Sequence, residues 1–292
     1  MLNNQYMTPM NPKRVIILGA SGFLGSKLLG CLEMQHIPYV ALSTRDIDLS
    51  VPGSVQELAH LLHSEDVVIV LAVQKPNKNM DAMAFSNNIN MAKNIGIAIQ
   101  KKPVAHVVYF SSEAVYNFDS ELITEESPAA PTTLYGAMHL SRELLLKHSI
   151  GVLPLTIIRA TQIVGLSANH NAYGPCKFYR SAINNGLITL FGLGEERRDF
   201  ILVQDVIQLV FLILKYRSVG LVNCASGESI SYAALANMMC VALQVPITIK
   251  YEPRMIEISH RTFDIKLIKK TFPEFRPTSI LQPEFLKNFD KS

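Results

Sequence analysis

The chain has 292 residues, about twice the usual length of one domain, so one large domain or two smaller ones are expected. Hydrophobic residues make up 49% of the chain and charged residues only 17%, which excludes a globally disordered protein. The 27 Lys and Arg residues against 24 Asp and Glu give a formal charge of +3, too small and too dispersed to indicate nucleic-acid binding.

Short β-branched runs alternate with stretches of helical periodicity over the first 160 residues. The pattern predicts strands at 14–18, 39–42, 66–71, 106–110 and 155–158, and helices at 23–34, 54–62, 81–100 and 135–148. Strands that alternate with helices form a parallel sheet covered on both faces. The sequence therefore predicts a doubly wound α/β fold of the Rossmann type.

The pattern loosens after Ala160. Further helices are predicted at 176–184, 205–216 and 231–243, and a strand at 221–224. The charged, proline-interrupted tail that follows adds little periodic structure. We expect a small C-terminal lobe that is interleaved with the sheet domain.

Several features argue against a secreted, membrane or metal-binding protein. The segment 1–12 is polar and is expected to be flexible, and the longest apolar run, 206–214, is too short to span a membrane. The cysteines are far apart and the histidines lack metal-ligand spacing, so we expect reduced thiols and no metal site. A cytoplasmic location is expected.

A glycine-rich turn, Gly19-Ala-Ser-Gly22-Phe-Leu-Gly25, joins the first predicted strand to the first predicted helix. Residues without a Cβ allow a tight turn and close approach to a pyrophosphate, and the helix N-terminus supplies amide donors. A purely structural glycine turn is the alternative. The position in an alternating chain favours a dinucleotide-binding loop, whose expected contacts are Gly19, Ser21, Gly22, Phe23, Leu24 and Gly25.

The Gly-x-x-Gly-x-x-Gly spacing resembles that of the extended short-chain dehydrogenase/reductases, the NAD(P)-dependent nucleotide-sugar epimerase and dehydratase family. Later motifs are similar in order and spacing over residues 13–280: Asp48-Leu49, Phe110-Ser-Ser-Glu-Ala-Val-Tyr116, Tyr135-Gly-Ala and Arg198-Asp-Phe-Ile201. The resemblance implies a cofactor domain at 13–163, onto which 198–225 packs back, and a mainly substrate-binding lobe at 164–292. It also implies a homodimer and cofactor contacts at Asp48, Leu49, Leu71, Ala72, Val73 and Ser111.

The choice between NAD and NADP depends on the end of the second strand. An acid there binds the ribose diol of NAD, whereas an arginine accommodates the 2′-phosphate of NADP. Ser43 and Arg45 occupy this region, so NADP is the preferred cofactor. In the alternative, Arg45 is solvated and Asp46 binds the ribose.

The resemblance implies hydride transfer between the nicotinamide and a sugar carbon, with Tyr135 moving the hydroxyl proton and Ser112 orienting the substrate oxygen. The pKa of a free tyrosine is about 10, and the family lowers it with a lysine four residues later. Here that position, expected to contact the cofactor as Tyr135 does, is His139. An imidazole carries no fixed positive charge near neutral pH, so activity is expected to increase as His139 gains a proton.

Three possibilities follow from His139. The enzyme is active with the imidazole in the supporting role, it is impaired or specialised and uses another cation, or it is a catalytically silent cofactor-binding relative. The dehydratases of the family carry an acid pair directly after the hydroxyl residue, whereas this chain has Glu113 followed by Ala114. A 4,6-dehydratase is therefore disfavoured, and Glu113 is either a substrate contact or plain loop polarity.

The substrate implied by the resemblance is a nucleotide-diphosphate sugar. The expected contacts besides Glu113 are Gln162, Lys177, Phe191, Arg198 and Arg261. An amide, cations and a stacking aromatic suit a nucleoside diphosphate. The alternatives are a solvated Lys177, a core Phe191 and an Arg198 paired with a neighbouring acid. The predicted reaction is epimerisation at carbon 4 or reduction of a 4-keto sugar.

Overall fold

The computed structural model describes residues 2–74, 80–117, 122–165, 174–255 and 257–282. Strands and helices alternate through the first half of the chain. In order they are β1 (Arg14–Leu18), α1 (Phe23–Met34), β2 (Tyr39–Leu42), α2 (Ser54–Leu61), β3 (Asp66–Val70), α3 (Ala82–Lys101), β4 (His106–Ser112), α4 (Leu134–Ile150) and β5 (Leu155–Ala160). A short 3-10 helix, Glu113–Val115, follows β4.

The second half continues with β6 (Gln162–Val164), α5 (Gly174–Asn185), β7 (Leu187–Phe191), β8 (Arg197–Leu202), α6 (Val203–Tyr216), β9 (Gly220–Cys224), β10 (Ser229–Ser231), α7 (Tyr232–Leu243), β11 (Thr248–Glu252) and α8 (Lys266–Thr271). Every predicted strand and helix is present, with ends that differ by two residues at most.

The main sheet has six parallel strands in the order β2-β1-β3-β4-β5-β9. Alternate side chains of its central strands enter two apolar clusters, as Ile16 and Ile17 of β1 show. One cluster contains residues of α1, α6 and α8, and the other contains residues of α2, α3 and α4. Both faces of the sheet are thus covered, which confirms the predicted doubly wound fold.

The direction of winding reverses between β1 and β3, because the chain moves from β1 outward to β2 and then returns to β3. In such sheets, ligands bind in the crevice outside the carboxyl ends of the strands at this reversal. The Gly19 turn follows β1, and residues 71–74 follow β3. The topology therefore places both predicted cofactor-binding segments at one crevice.

A smaller lobe contains a three-stranded sheet, β10-β8-β6, and a parallel pair, β11-β7, around a third apolar cluster. The sequence predicts none of these five strands. Two of them have only three residues and β11 is mostly exposed, so neither length nor alternation marks these three, whereas β7 and β8, with five and six residues, are long enough to be recognised. Of the segment 198–225, α6 and β9 pack on the main sheet, whereas β8 pairs within the lobe.

The segment before β1 is docked rather than extended into solvent. Asn3 and Val219 exchange backbone hydrogen bonds of 2.9 and 2.8 Å, and Tyr6 N donates to Tyr216 O at 3.0 Å. The last carbonyls of a helix have no partner within it, and here the segment supplies donors to the end of α6. This differs from the expected flexible segment. No helix of the described residues is long and apolar enough to cross a membrane.

Candidate active site

The turn after β1 is shaped by two close approaches. Gly19 has φ +96°, and a Cβ on it would lie 2.7 Å from the backbone N of Ala72. A Cβ on Gly25 would lie 2.6 Å from the carbonyl oxygens of Gly19 and Ala20. Both contacts are shorter than real Cβ atoms show, so these two positions require glycine.

The start of α1 has the features of an anion site. Gly22, its N-cap, supplies no side-chain hydrogen bond to the first turn, and a Cβ there would approach only Gly19 O, at 3.3 Å. The first backbone N–H groups of a helix lack partners within the helix and attract anions. The predicted contacts Ser21, Phe23 and Leu24 lie in the same turn. These residues fit the pyrophosphate of a dinucleotide.

The end of β2 combines a cation with a carboxylate. The carboxylate of Asp46 accepts hydrogen bonds from the backbone N and hydroxyl of Ser43, at 2.7 and 2.6 Å, and these bonds lower the pKa of Asp46. The side chain of Arg45 is exposed. Further on, Asp48 accepts from the backbone and hydroxyl of Ser50, while Leu49 is buried beneath the loop. The Ser43 hydroxyl is therefore already occupied, and Arg45 is the group that can receive a phosphate.

Residues 71–74 form the other wall of the crevice. Leu71 N donates to Leu18 O at 2.8 Å, which continues the pairing of β3 with β1. The buried Asn88 of α3 holds the next part: its Oδ1 accepts from Gln74 N at 3.0 Å, and its Nδ2 donates to Gln74 O at 2.9 Å. The predicted cofactor contacts Leu71, Ala72 and Val73 are thus fixed at both ends.

The predicted catalytic residues meet where β4 ends and α4 begins. Thr133 caps α4 by accepting from Gly136 N at 3.1 Å, and a Cβ on Gly136 would lie 2.0 Å from Ala114 O. This close approach seats the first turn of α4 on the 3-10 helix. The hydroxyl of Ser112 lies close enough to the Tyr135 phenol to lower the pKa of that phenol.

His139 lies one helical turn beyond Tyr135, buried between two tyrosines. Its ring meets that of Tyr135 edge to face, with centroids 4.7 Å apart. Its Nδ1 lies 2.9 Å from the hydroxyl oxygen of Tyr109, a buried residue of β4. Burial raises the pKa of the Tyr109 phenol, so that phenol stays protonated. The structure thus brings Ser112, Tyr135 and His139 together.

Arg142 joins this group, and the sequence analysis missed it. Its side chain is fully buried, and it donates to Asn88 Oδ1 at 3.1 Å and to Ala72 O at 2.7 Å. Its Cζ lies 5.2 Å from the centroid of the Tyr109 ring. The spacing was the available signal, because residues three after His139 and seven after Tyr135 share a face of one helix.

The pKa of Tyr135 reflects opposing influences. Burial raises it most, while the polar Ser112 hydroxyl and the positive charge of Arg142 lower it, and the negative charge of Glu113 raises it. Ser112 and Arg142 therefore favour ionisation of the Tyr135 phenol.

An ion pair behind the site positions α4. Arg159 of β5 donates to the Glu143 carboxylate from Nε at 3.0 Å and from Nη2 at 2.7 Å, and both of these contacts are buried. The third contact comes from the hydroxyl of Ser111. Ser111, predicted to contact the cofactor, is directed toward this ion pair.

The predicted substrate contacts divide into two groups. Glu113, Arg261 and Arg198 lie close together: Arg261 Nη1 donates to Glu113 Oε1 at 2.9 Å, and the positive charges of Arg261 and Arg198 lower a Glu113 pKa that burial raises. Arg198 is also held by Glu196 Oε1 at 3.2 Å. Gln162 lies near the Tyr232 phenol, whose pKa is raised by burial and lowered by Arg198, Arg261 and Gln162.

Lys177 and Phe191 form the second group. Both are exposed, Lys177 on α5 and Phe191 at the end of β7, and Phe191 is therefore not a core residue. Among the described residues, no group of three or more His, Cys, Asp and Glu side chains is arranged to hold a metal ion. The four cysteines are unpaired, two of them buried.

Comparison with known proteins gives the family. A model described as the NAD dependent epimerase/dehydratase family matches residues 15–225. The chain is 26% identical over 220 residues to N-acetyl-alpha-D-glucosaminyl-diphospho-ditrans,octacis-undecaprenol 4-epimerase of Escherichia coli O157:H7. The aligned region covers 70% of this chain and 64% of that protein.

Two solved structures have a similar fold. MoeE5 in complex with UDP-glucose and NAD superposes with a TM-score of 0.82 at 21% identity over 94% of this chain and 97% of that chain. RMD from Pseudomonas aeruginosa, complexed with NADPH, superposes with a TM-score of 0.81 at 21% identity, over 96% and 99%. Because the family match extends from β1 to β9, the chain belongs to the NAD dependent epimerase/dehydratase family of nucleotide-sugar epimerases and dehydratases.

Proposed function

We propose that the protein catalyses NAD(P)-dependent hydride transfer at carbon 4 of a nucleotide-activated sugar, by 4-epimerisation or by reduction of a 4-keto sugar. The observation that carries the proposal is the position of Ser112 and Tyr135 where the carboxyl end of β4 meets the first turn of α4, with the Ser112 hydroxyl close enough to the Tyr135 phenol to lower its pKa. Both hydroxyls lie at the same edge of the sheet as the Gly19 turn and residues 71–74. In this proposal, proton transfer and cofactor binding share one crevice.

The chain's own residues have distinct roles in this proposal. Tyr135 donates the proton to the sugar oxygen in reduction and accepts it in oxidation, and the Ser112 hydroxyl binds the same oxygen. His139 positions the Tyr135 ring and, with the Gly19 turn, Leu71, Ala72 and Val73, contacts the cofactor. The nicotinamide, when bound, accepts or supplies the hydride.

The substrate contacts follow from charge. Arg198 and Arg261 are cations near the buried carboxylate of Glu113, and Arg198 also pairs with Glu196, so a diphosphate would bind these guanidinium groups in competition with the two carboxylates. Gln162, Lys177 and Phe191 complete the proposed substrate contacts. The relative from Escherichia coli is a 4-epimerase of a diphosphate-linked sugar, and MoeE5 holds UDP-glucose, which supports a sugar diphosphate.

NADP is the proposed cofactor, with NAD as the alternative. The exposed Arg45 supports NADP, because the guanidinium group can bind a phosphate through several donors. The ionised Asp46 beside it is the group that favours NAD. Proteins of the same fold hold either cofactor, NAD in MoeE5 and NADPH in RMD, so residues at the end of β2 decide.

Ala114 argues against the dehydratase reaction. Elimination of water needs an acid and a base next to the hydroxyl residue, and this chain offers only Glu113 there. The oxygen of Ala114 is in addition covered by Gly136. The silent relative remains the alternative from another class, because the family's lysine is absent.

The test is a panel of nucleoside-diphosphate sugars and their 4-keto forms, each with NAD and NADP. We expect either a 4-epimer without net consumption of cofactor or a reduced sugar with stoichiometric oxidation of NADPH. Proton NMR identifies the sugar product, and absorbance of the reduced nicotinamide measures cofactor oxidation. Tyr135→Phe is expected to lower the rate by about 100-fold or more without loss of cofactor binding. Cofactor binding without conversion of any substrate would establish the silent relative instead.

We also infer a cytoplasmic homodimer in which α3 and α4 form the interface. Met83 of α3 and Leu144 of α4 are large apolar side chains that are 74% and 60% exposed. Light scattering of the wild type and of Leu144→Glu tests the dimer, which the substitution is expected to dissociate.

A further inference from the structure

The core of the site contains a buried cation that the family resemblance does not assign. Arg142 is fully buried, and its hydrogen bonds are to neutral oxygens, Asn88 Oδ1 and Ala72 O. Its Nε has no hydrogen-bond partner among the described residues. Burying a charge is costly unless an opposite charge compensates it, so a cation with neutral partners next to a catalytic group indicates a functional use.

A continuous set of contacts joins this cation to Tyr135. The guanidinium lies over the ring of Tyr109, the Tyr109 hydroxyl contacts His139 Nδ1, and the His139 ring meets the edge of Tyr135. His139, Arg142 and Tyr135 belong to one face of α4, while Tyr109 faces them from β4. The contact with Ala72 also ties this face to the proposed cofactor wall.

We propose that Arg142 supplies the positive charge that relatives place on a lysine at position 139, and that His139 stays neutral and positions the Tyr135 ring. The proposal rests on the proposed function and names a positioning residue for it. Arg142 touches neither of the reacting hydroxyls and acts on Tyr135 through its charge and through the Tyr109 and His139 rings.

The charges around Tyr135 agree with this assignment. The ionisable groups that the structure places against it are Arg142, His139, Glu113 and, through His139, Tyr109; Glu143 acts on Tyr109. Arg142 is the cation among those that influence the Tyr135 pKa, and it lowers it.

A protonated His139 is disfavoured by the same geometry. Its ring and the Arg142 guanidinium both contact Tyr109, and both are buried. A second positive charge there would be repelled by the first in a site of low polarity. This differs from the expectation that activity increases as His139 gains a proton.

The experiment follows the ionisation of Tyr135 by NMR of the full-length protein with ¹³C-labelled tyrosine, the resonance being assigned with Tyr135→Phe. We expect Arg142→Gln to move the Tyr135 titration to higher pH, and His139→Lys in that background to move it back. Lys147→Gln, which removes an exposed cation of the same helix, is the matched control and should leave the titration unchanged. A folded Arg142→Gln protein with an unchanged Tyr135 titration would overturn the proposal.

Two measurements keep the proposal testable if Arg142→Gln does not fold. Arg142→Lys retains the charge and is expected to keep the titration of the wild type. The ¹⁵N shifts of His139 in the wild-type protein are expected to show a neutral ring at neutral pH, and a protonated ring contradicts the proposal.

Activity provides an independent readout. If the wild type converts a sugar, Arg142→Gln is expected to lose about tenfold or more in kcat at neutral pH, and the added His139→Lys is expected to restore most of it. A purely structural role predicts no restoration by a charge at position 139. The ring titrations need neither cofactor nor substrate, so failure of the proposed function appears in the substrate panel and failure of this inference appears in the titrations.

Discussion

Arg261 donates a hydrogen bond to Glu113 at 2.9 Å, and this ion pair joins the 3-10 helix after β4 to the C-terminal part of the chain. Glu113 is buried, while the Arg261 side chain is 23% exposed. Glu113 directly follows Ser112 in the chain, so the pair links the proposed catalytic hydroxyl to the C-terminal part of the chain. Its strength should therefore decide how firmly the two parts are joined.

Arg261→Met is expected to destabilise the protein by about 2 kcal/mol at neutral pH, since it leaves the Glu113 carboxylate buried without this partner. Adding Glu113→Gln should recover part of the loss, with a coupling energy of about 1 kcal/mol or more. Urea unfolding of the single and double variants measures both. The exposed pair Lys13–Glu65 is the control, and Lys13→Met should change stability by no more than about 0.5 kcal/mol. Additive effects of Arg261→Met and Glu113→Gln would show that the ion pair does not join the lobe.

Gly19→Ala is expected to disrupt the cofactor loop. A methyl group would lie 2.7 Å from Ala72 N on a residue with φ +96°, so the turn and residues 71–74 must separate. We expect a loss of stability of about 2 kcal/mol or more and at least tenfold weaker cofactor binding. Calorimetry of unfolding and of NADP binding measures these effects.

Gly30→Ala is the matched control for Gly19→Ala. It lies in α1, where a Cβ would meet no atom within 4 Å, and should be neutral or stabilise the protein by up to about 1 kcal/mol. Equal behaviour of the two variants would contradict the close approach of Gly19 to Ala72.

How far the sequence predicts this molecule depends on the range of the interactions. The first strand is recognisable because Val15, Ile16 and Ile17 are buried on both faces of a parallel sheet, which produces a continuous apolar run. The pairing of β7 with β11 leaves no such mark. Leu187 and Thr248 are 61 positions apart in the numbering, and β11 is mostly exposed, so its sequence carries no strong local signal for this pairing.

The site residues also divide into those that local sequence predicts and one whose position depends on distant contacts. Ser112 and Tyr135 belong to local motifs and could be predicted, and so could the replacement of the family's lysine by His139. The spacing of Arg142 puts it on the same helix face as Tyr135 and His139, but its burial could not be predicted, because an arginine in a helix is usually exposed and this burial depends on Asn88 and Ala72, more than 50 residues away in the chain. Only the packed structure shows that this residue faces inward.

Arg45→Ala tests the choice of cofactor. Removing the guanidinium should weaken NADP binding by about tenfold or more and leave NAD binding within about twofold, since only NADP carries the 2′-phosphate. Fluorescence titration with both cofactors measures this, with Lys13→Ala at the far end of β1 as a control that should alter neither affinity. If the wild type binds NAD at least tenfold more tightly than NADP, the assignment of NADP is wrong and Asp46 binds the ribose.

Asp199 should make the stability of the protein depend on pH. Burial raises the pKa of this carboxyl to about 7, although it accepts hydrogen bonds from Ser226 N, Gly227 N and the Thr161 hydroxyl. An unfolded aspartate has a pKa of about 3.9, so between about pH 4 and pH 7 the folded state binds the proton that the unfolded state has lost. With more protons bound in the folded state, the free energy of unfolding falls as pH rises through this window, by up to about 4 kcal/mol.

Urea unfolding from pH 4 to pH 8 should show this decline, and Asp199→Asn should flatten it, whatever its effect on absolute stability. The exposed Asp46, whose pKa is lowered, provides the control: Asp46→Asn should leave the decline in place. A stability that increases with pH across the window in the wild type, and equally in Asp199→Asn, would show that the three hydrogen bonds outweigh burial and keep the carboxylate ionised.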